Sequence, residues 1–203
     1  MAQCKLCGAD RALVDAHIIP ASFFRDVQIG DEALQVIAND PAKFPRRAPI
    51  GVYDQNLVCG ACERIFGTWD EYAAELFIQQ RDTGFRRLFI EGRPMPVQVA
   101  DSFDYPRLRL FVISLLWRAA ASTHMFFARV RLPMRQERLR TLVRTGDVGR
   151  QSEFRTIVSR WSDVAVLQGR FVANPYEYLR NRRTKKKLWF VRGPFGDQSQ
   201  RKR

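Results

Sequence analysis

Histidine is nearly absent from this chain: two residues in 203. Cysteine is almost as scarce, at four. So few histidines leave little choice for an imidazole base. Long apolar runs are missing too. The richest, Leu110 to Trp117, is closed by Arg118. A membrane-spanning helix needs about 18 or more apolar residues, so no span and no membrane partner are expected. The first residues, Met-Ala-Gln-Cys-Lys, lack the apolar stretch of a secretory leader. The expected compartment is therefore the cytoplasm, where disulfides rarely persist. Four cysteines there need another explanation.

Acidic residues are also in deficit. There are 34 Lys+Arg against 21 Asp+Glu, a net charge of +13. Hydrophobic residues make up 46% of the chain, enough for a packed core. The charge excess is uneven. Residues 1–100 carry 11 basic and 13 acidic side chains, a net of −2. Residues 101–170 carry 13 and 6, and residues 171–203 carry 10 and 2, nets of +7 and +8. The second half would therefore hold an acidic partner: nucleic acid first, with DNA ahead of RNA, or else an acidic protein. Two parts are expected, 1–95 and a basic region 96–203, divided at the Gly/Pro-rich stretch Glu91–Pro96, a linker or a strand entry.

The local pattern implies an α+β chain. A turn at Cys4–Gly8 precedes an extended segment from Ala12 to Ile19, stopped by Pro20. Leu34–Ile37 alternates like a short strand. Ile65, Trp69, Tyr72 and Leu76 recur at helical steps within 61–80, and Phe85–Ile90 follows. A long helix is expected over Leu108–Arg131, with Leu110, Ile113, Leu116 and Trp117 inward and Ala119–Ala121 at a close contact. A second helix is expected over Met134–Arg144. Strands are expected at Phe154–Val158, Val164–Val172 and Lys187–Val191, ahead of a polar tail.

All four cysteines fall into two CxxC pairs, Cys4/Cys7 and Cys59/Cys62, each with a glycine beside or inside it. Two intervening residues let both thiolates of a pair face one ion from a tight turn, and two pairs complete a closed tetrahedral Zn²⁺ site. Such a site is structural, and it would close the 51-residue loop between Cys7 and Cys59. The rivals are two redox pairs, which usually follow a strand in a βαβ unit, or an iron–sulfur cluster.

His17 lies ten residues after Cys7, in Ala16-His17-Ile18-Ile19-Pro20. Asn56 lies three residues before Cys59, and a helix follows Cys62. In this order of Cys pair, His strand, Asn, Cys pair and helix the sequence resembles the HNH (ββα-metal) endonucleases, and most of all their four-cysteine zinc subgroup. The motifs span residues 4–72. The resemblance implies a zinc-stapled ββα-metal domain, followed here by a mainly helical region with short C-terminal strands. It also implies hydrolysis of DNA phosphodiesters. His17 would be the general base, Asn56 would orient it, and one Mg²⁺ or Mn²⁺ would hold the phosphate. An imidazole titrating near pH 7 can take a proton, and a cation offsets charge developing on phosphate.

Three positions depart from the family's pattern, one of them Asn56, which sits closer to the second Cys pair than is usual there. Ala16 stands where Asp or His usually precedes the base, and Glu63 stands where His or Asn follows the second pair. Glu63 is the leading candidate ligand for the catalytic ion, with Asp15 a second, although strand alternation turns Asp15 and Ala16 to opposite faces. Asp70 shares Glu63's helix face about 10 Å further on. Asp70 and Glu71 also suit a solvated helix face. The alternative is a catalytically degenerate, zinc-stapled nucleic-acid-binding or protein-interaction module. His124, expected near a helix end, suits packing or charge pairing with that end. Phosphate contacts are expected from Arg131, Arg135 and Arg138, spaced at helical steps in a basic stretch with Arg129 and Arg140. They are also expected from the run holding Arg180, Arg182, Arg183, Lys185, Lys186 and Lys187, which leads into Leu188-Trp189-Phe190.

Overall fold

A computed structural model describes residues 2–27, 34–36, 46–48, 50–81, 83–92, 97–156, 176–180 and 187–190, with 35, 36, 46, 176–180 and 187–190 in backbone only. It is an α+β arrangement of helices and two-stranded antiparallel sheets. Strand β1 (Ala2–Gln3) pairs with β2 (Asp10–Arg11) around the first Cys turn, where Gly8 takes a left-handed φ of 77°. Strand β3 (Ala16–His17) pairs with β6 (Tyr53–Asp54), His17 opposite Tyr53. Between them lie α1 (Ala21–Val27) and the pair β4 (Gln35–Val36) and β5 (Arg46–Arg47). Helix α2 (Gly60–Ala74) follows at once and ends in a π-helical turn, Glu75–Gln79.

The helix over 61–80 forms as expected, but its inward face is rotated. The buried residues are Cys62, Phe66, Trp69, Ala73, Ala74 and Leu76, whereas Ile65 is 39% exposed. Cys62 must face the other cysteines, and residues three or four apart follow it inward. The hairpin of β7 (Arg86–Leu88) and β8 (Val97–Val99) comes next, and Glu91–Gly92 forms part of its turn. Strand β8 thus begins directly after Pro96.

Helix α3 (Tyr105–Ala121) is capped by Asp104, whose carboxylate accepts from the Arg107 N–H at 3.0 Å. It does not run on to Arg131. It stops at Ala121 because the next residues bond elsewhere: the Ser122 hydroxyl and the Thr123 N–H both donate to the Asp54 carboxylate, each at 2.7 Å. Ala119–Ala121 are buried, as expected. A 3₁₀ turn (Met125–Phe127) follows. His124 Nδ1 accepts from the Phe126 N–H at 3.1 Å, so this histidine caps a turn rather than pairing with the end of a long helix.

Helix α4 (Gln136–Thr145) ends on Gly146. Residues 154–156 form no strand. Phe154 has a left-handed φ of 47°, and the carbonyls of Val148, Arg150, Glu153 and Phe154 are taken by the Arg109 guanidinium instead of a ladder. Strand β9 (Tyr176–Arg180) pairs with β10 (Lys187–Phe190), Arg180 opposite Lys187. The strand expected over 164–172, the tail from 191, and Arg182, Arg183, Lys185 and Lys186 lie outside the described residues.

One core joins the parts. Helix α2 packs on α3, and α3 on α4. Phe66 meets Trp117 at 6.1 Å between ring centroids, and Leu139, Leu142 and Val143 are buried alongside Leu6 and Leu57. Among the described residues no helix is long and apolar enough to cross a membrane.

Candidate metal centre and the histidine beside it

The sulfur atoms of Cys4, Cys7, Cys59 and Cys62 all lie within 4.8 Å of one another. They come from two elements. Cys4 and Cys7 flank the turn after β1, while Cys59 is the N-cap of α2 and Cys62 sits in its first turn. Backbone bonds hold the two together: the Lys5 N–H donates to the Leu57 carbonyl and the Val14 N–H to the Val58 carbonyl, both at 3.0 Å. Cys4, Cys59 and Cys62 are buried, and Cys7 is exposed.

The set fits zinc. A tetrahedron with Zn–S bonds of about 2.3 Å has S···S edges of about 3.8 Å. Cys4 and Cys62 stand 3.7 Å apart. The polar surroundings also suit a thiolate. Burial alone would raise the Cys4 thiol, but backbone N–H groups of Cys7, Cys59 and Leu6 outweigh it and bring it down to about 6. One of them, the Cys59 N–H, lies 3.4 Å from Cys4 Sγ. Burial and the neighbouring thiols push Cys62 up.

His17 lies beside this staple, half-buried at the end of β3. Its Nε2 stands 2.9 Å from the Ile50 carbonyl. A carbonyl only accepts, so Nε2 carries the proton and the neutral ring keeps its lone pair on Nδ1. The Tyr53 ring lies 6.1 Å away, tilted by 51°. Asn56 is exposed on the turn after β6, and its own N–H donates to Asp54 at 2.8 Å. Among the described residues its side chain makes no hydrogen bond to the His17 ring; the Ile50 carbonyl orients that ring.

Glu63 reaches the same strand. Its Oε1 lies 3.4 Å from the His17 N–H, and its Oε2 is buried without a hydrogen bond. Burial raises its carboxyl, opposed by the charge of Arg118. Asp15 faces away, exposed, and accepts from Gln55 at 2.9 Å. Asp70 is no solvated helix-face residue: Arg118 holds both of its oxygens, at 2.7 and 2.8 Å. Arg118 is itself fully buried, stacks 4.8 Å over Phe66 and donates to the His17 carbonyl at 2.9 Å.

Mg²⁺ and Mn²⁺ prefer six oxygen ligands, several of them water. The described carboxylates do not offer that. Asp15 and Asp70 are engaged, and the open oxygen of Glu63 is sealed from solvent.

Three residues not expected in the site tie its elements together: Asp54, Arg140 and Lys5. Asp54, only 4% exposed, accepts from Asn56, Ser122 and Thr123. Arg140 donates to the Lys5 and Leu6 carbonyls at 2.8 and 2.9 Å, and Lys5 Nζ donates to the Ala121 carbonyl at 2.8 Å. The one available signal was Arg118 itself, a charge set inside an apolar helix.

Among the described arginines expected to contact phosphate, Arg135 and Arg138 have partners within the molecule. Arg131 and Arg135 precede α4, so they do not continue its helical spacing. Arg131 is exposed, and Arg135 lies over the Phe154 ring at 5.9 Å. Arg138 pairs with Glu153 at 3.0 Å, which draws that carboxyl down to about 2. Arg180 and Lys187 are register partners, described in backbone only.

These residues define an α+β protein with four clustered cysteines able to hold a zinc ion. No family model, curated protein or solved structure matches the chain.

Proposed function

We propose that the protein is an HNH-like endonuclease that hydrolyses DNA phosphodiester bonds, with His17 as general base and a structural zinc on the four cysteines. The observation that carries this reading is the pinned imidazole. A half-buried ring, fixed through Nε2–H to the Ile50 carbonyl, keeps its basic Nδ1 on a strand stapled to the start of a helix. The unit supporting it is two antiparallel strands, β3 and β6, followed by α2. In this reading Nδ1 takes the proton of a water as its oxygen attacks phosphorus. The bond to the leaving oxygen breaks, and that oxygen takes a proton from water or from the imidazolium. The chain's net charge of +13 favours the polyanion. The described carboxylates do not form a site for Mg²⁺ or Mn²⁺.

The test is plasmid cleavage by the zinc-loaded protein, with Mg²⁺ and Mn²⁺ titrated over a chelator control. His17→Ala should abolish cleavage while zinc content and melting temperature hold. Equal cutting by the variant would overturn the reading.

One observation favours a second reading, a zinc-stapled module that binds nucleic acid or an acidic protein without hydrolysis. The buried Arg118 holds Asp70, Asp15 is engaged by Gln55, and the open oxygen of Glu63 is sealed from solvent, which leaves none of these carboxylates open to a catalytic ion. That reading expects salt-sensitive DNA binding, no cleavage, and no effect of His17→Ala on binding.

A further inference from the structure

Helix α2 presents Glu63, Phe66 and Asp70 along one stripe, at steps of three and four residues. A metal-dependent site would bring an added cation to a carboxylate of such a stripe. Here a cation is already built in. Arg118 enters from α3 and lays its guanidinium over the Phe66 ring, between the two carboxylates along the stripe. Its two terminal nitrogens take both oxygens of Asp70 in a forked pair. One of them also donates to the His17 carbonyl, and the other lies 3.3 Å from the Ser114 hydroxyl.

We infer that Arg118 is the resident cation of this site: it takes the place of a divalent ion, neutralising the Asp70 carboxylate of α2 and pinning the strand that carries His17. Three observations point the same way. Arg118 is wholly buried, and a buried guanidinium is tolerated only when paired. Its partner Asp70 is mostly buried, so the pair is not a surface ion pair of little consequence. Glu63 Oε2 has no donor and no water-accessible surface, so a hydrated ion has no entry to it. The charge of Arg118, which acts on the Glu63 carboxyl, also opposes an incoming ion. The inference does not depend on hydrolysis, since it concerns which cation the carboxylates hold. Arg118 is here a positioning residue.

The test is Mn²⁺ binding to the zinc-loaded full chain, read by electron paramagnetic resonance, beside thermal melting with and without Mn²⁺. The parent should bind no Mn²⁺ in a manner that Glu63→Gln removes. Arg118→Met uncovers the Asp70 carboxylate. It should melt lower than the parent and regain temperature on adding Mn²⁺. Arg118→Met combined with Glu63→Gln and Asp70→Asn should show no such gain. Saturable binding to the parent that is lost in Glu63→Gln overturns the inference, and that arm needs no Arg118 variant to fold. A folded Arg118→Met that gains nothing from Mn²⁺ also overturns it. Cleavage is scored separately, so a failed nuclease reading leaves this result standing.

Discussion

Removing the Asp54 carboxylate should unlatch α3 from β6. One oxygen, Oδ1, accepts from the Asn56 N–H at 2.8 Å. The other, Oδ2, accepts from the Ser122 hydroxyl and the Thr123 N–H at 2.7 Å, and from the Thr123 hydroxyl at 3.1 Å. Hydrogen bonds to a charged group contribute about 1.5–3 kcal/mol net, and each buried donor left unpaired costs about 1–3 kcal/mol. Asp54→Ala removes the acceptor of two backbone N–H groups and of the buried Ser122 hydroxyl, so a loss of about 3–5 kcal/mol is expected. That is a large part of the about 5–15 kcal/mol typical of a domain.

Asp54→Asn keeps the shape but must turn its NH₂ toward one set of donors. It should lose less, about 1.5–3 kcal/mol. The assay is urea unfolding of zinc-loaded protein at constant salt. The pH dependence adds an independent check. Burial would raise the Asp54 carboxyl, but the hydroxyl of Ser122, the N–H groups of Asn56 and Thr123 and the Thr123 hydroxyl together hold it below its ordinary value. A depressed carboxyl stabilises the fold above the unfolded-state value of about 3.9 and loses that contribution as pH falls through the folded value. The gap between parent and Asp54→Asn should therefore be constant above about pH 5 and shrink below pH 4. Both variants lying within 1 kcal/mol of the parent would refute the latch.

Metal removal should be severe. Zinc across the two Cys pairs closes a 51-residue loop, worth about 4 kcal/mol of chain entropy alone, or about 8–16 °C in a domain of this size. Cys59→Ala should lose its zinc and melt at least that much lower; a metal-free protein melting within about 2 °C of the loaded one would refute a structural centre. Arg109→Leu leaves the carbonyls of Val148, Arg150, Glu153 and Phe154 without their donor. Amide exchange over residues 147–156 should accelerate at least tenfold while that of α2 is unchanged, and equal acceleration in both would point to global loosening.

Local features of this fold were open to reading, and partnerships across the chain were not. The CxxC spacings announce two turns, each with its thiolates facing one way, and the structure brings all four sulfurs together. Pro20 ends the His17 segment, and a 3.6-residue period marks α2. The rotation of α2's buried face was hidden because Cys62, not the apolar pattern, decides which side turns inward. The end of α3 was hidden because Ala-Ala-Ser-Thr-His suits a helix locally. Only Asp54, 68 residues earlier, draws Ser122 away. Arg118 closes an apolar run in the sequence, yet its partners Asp70 and His17 lie 48 and 101 residues back. Charge counting predicted a phosphate-binding face on α4, but a count cannot tell a free arginine from Arg138 on Glu153 or Arg140 on two carbonyls.

The grip of Arg140 on Lys5 and Leu6 also sets an order of events in time. Residues 4–7 leave the ribosome first, and the side chain that fastens them is made 78 residues after Cys62. At about 5–20 residues per second that is an interval of about 4–16 s. Throughout it the four thiols exist without the helix that backs them, open to whichever metal or oxidant arrives. The supply of zinc during those seconds then bears on how much chain matures correctly, and a shortage would register as lost yield before it registered as lost stability.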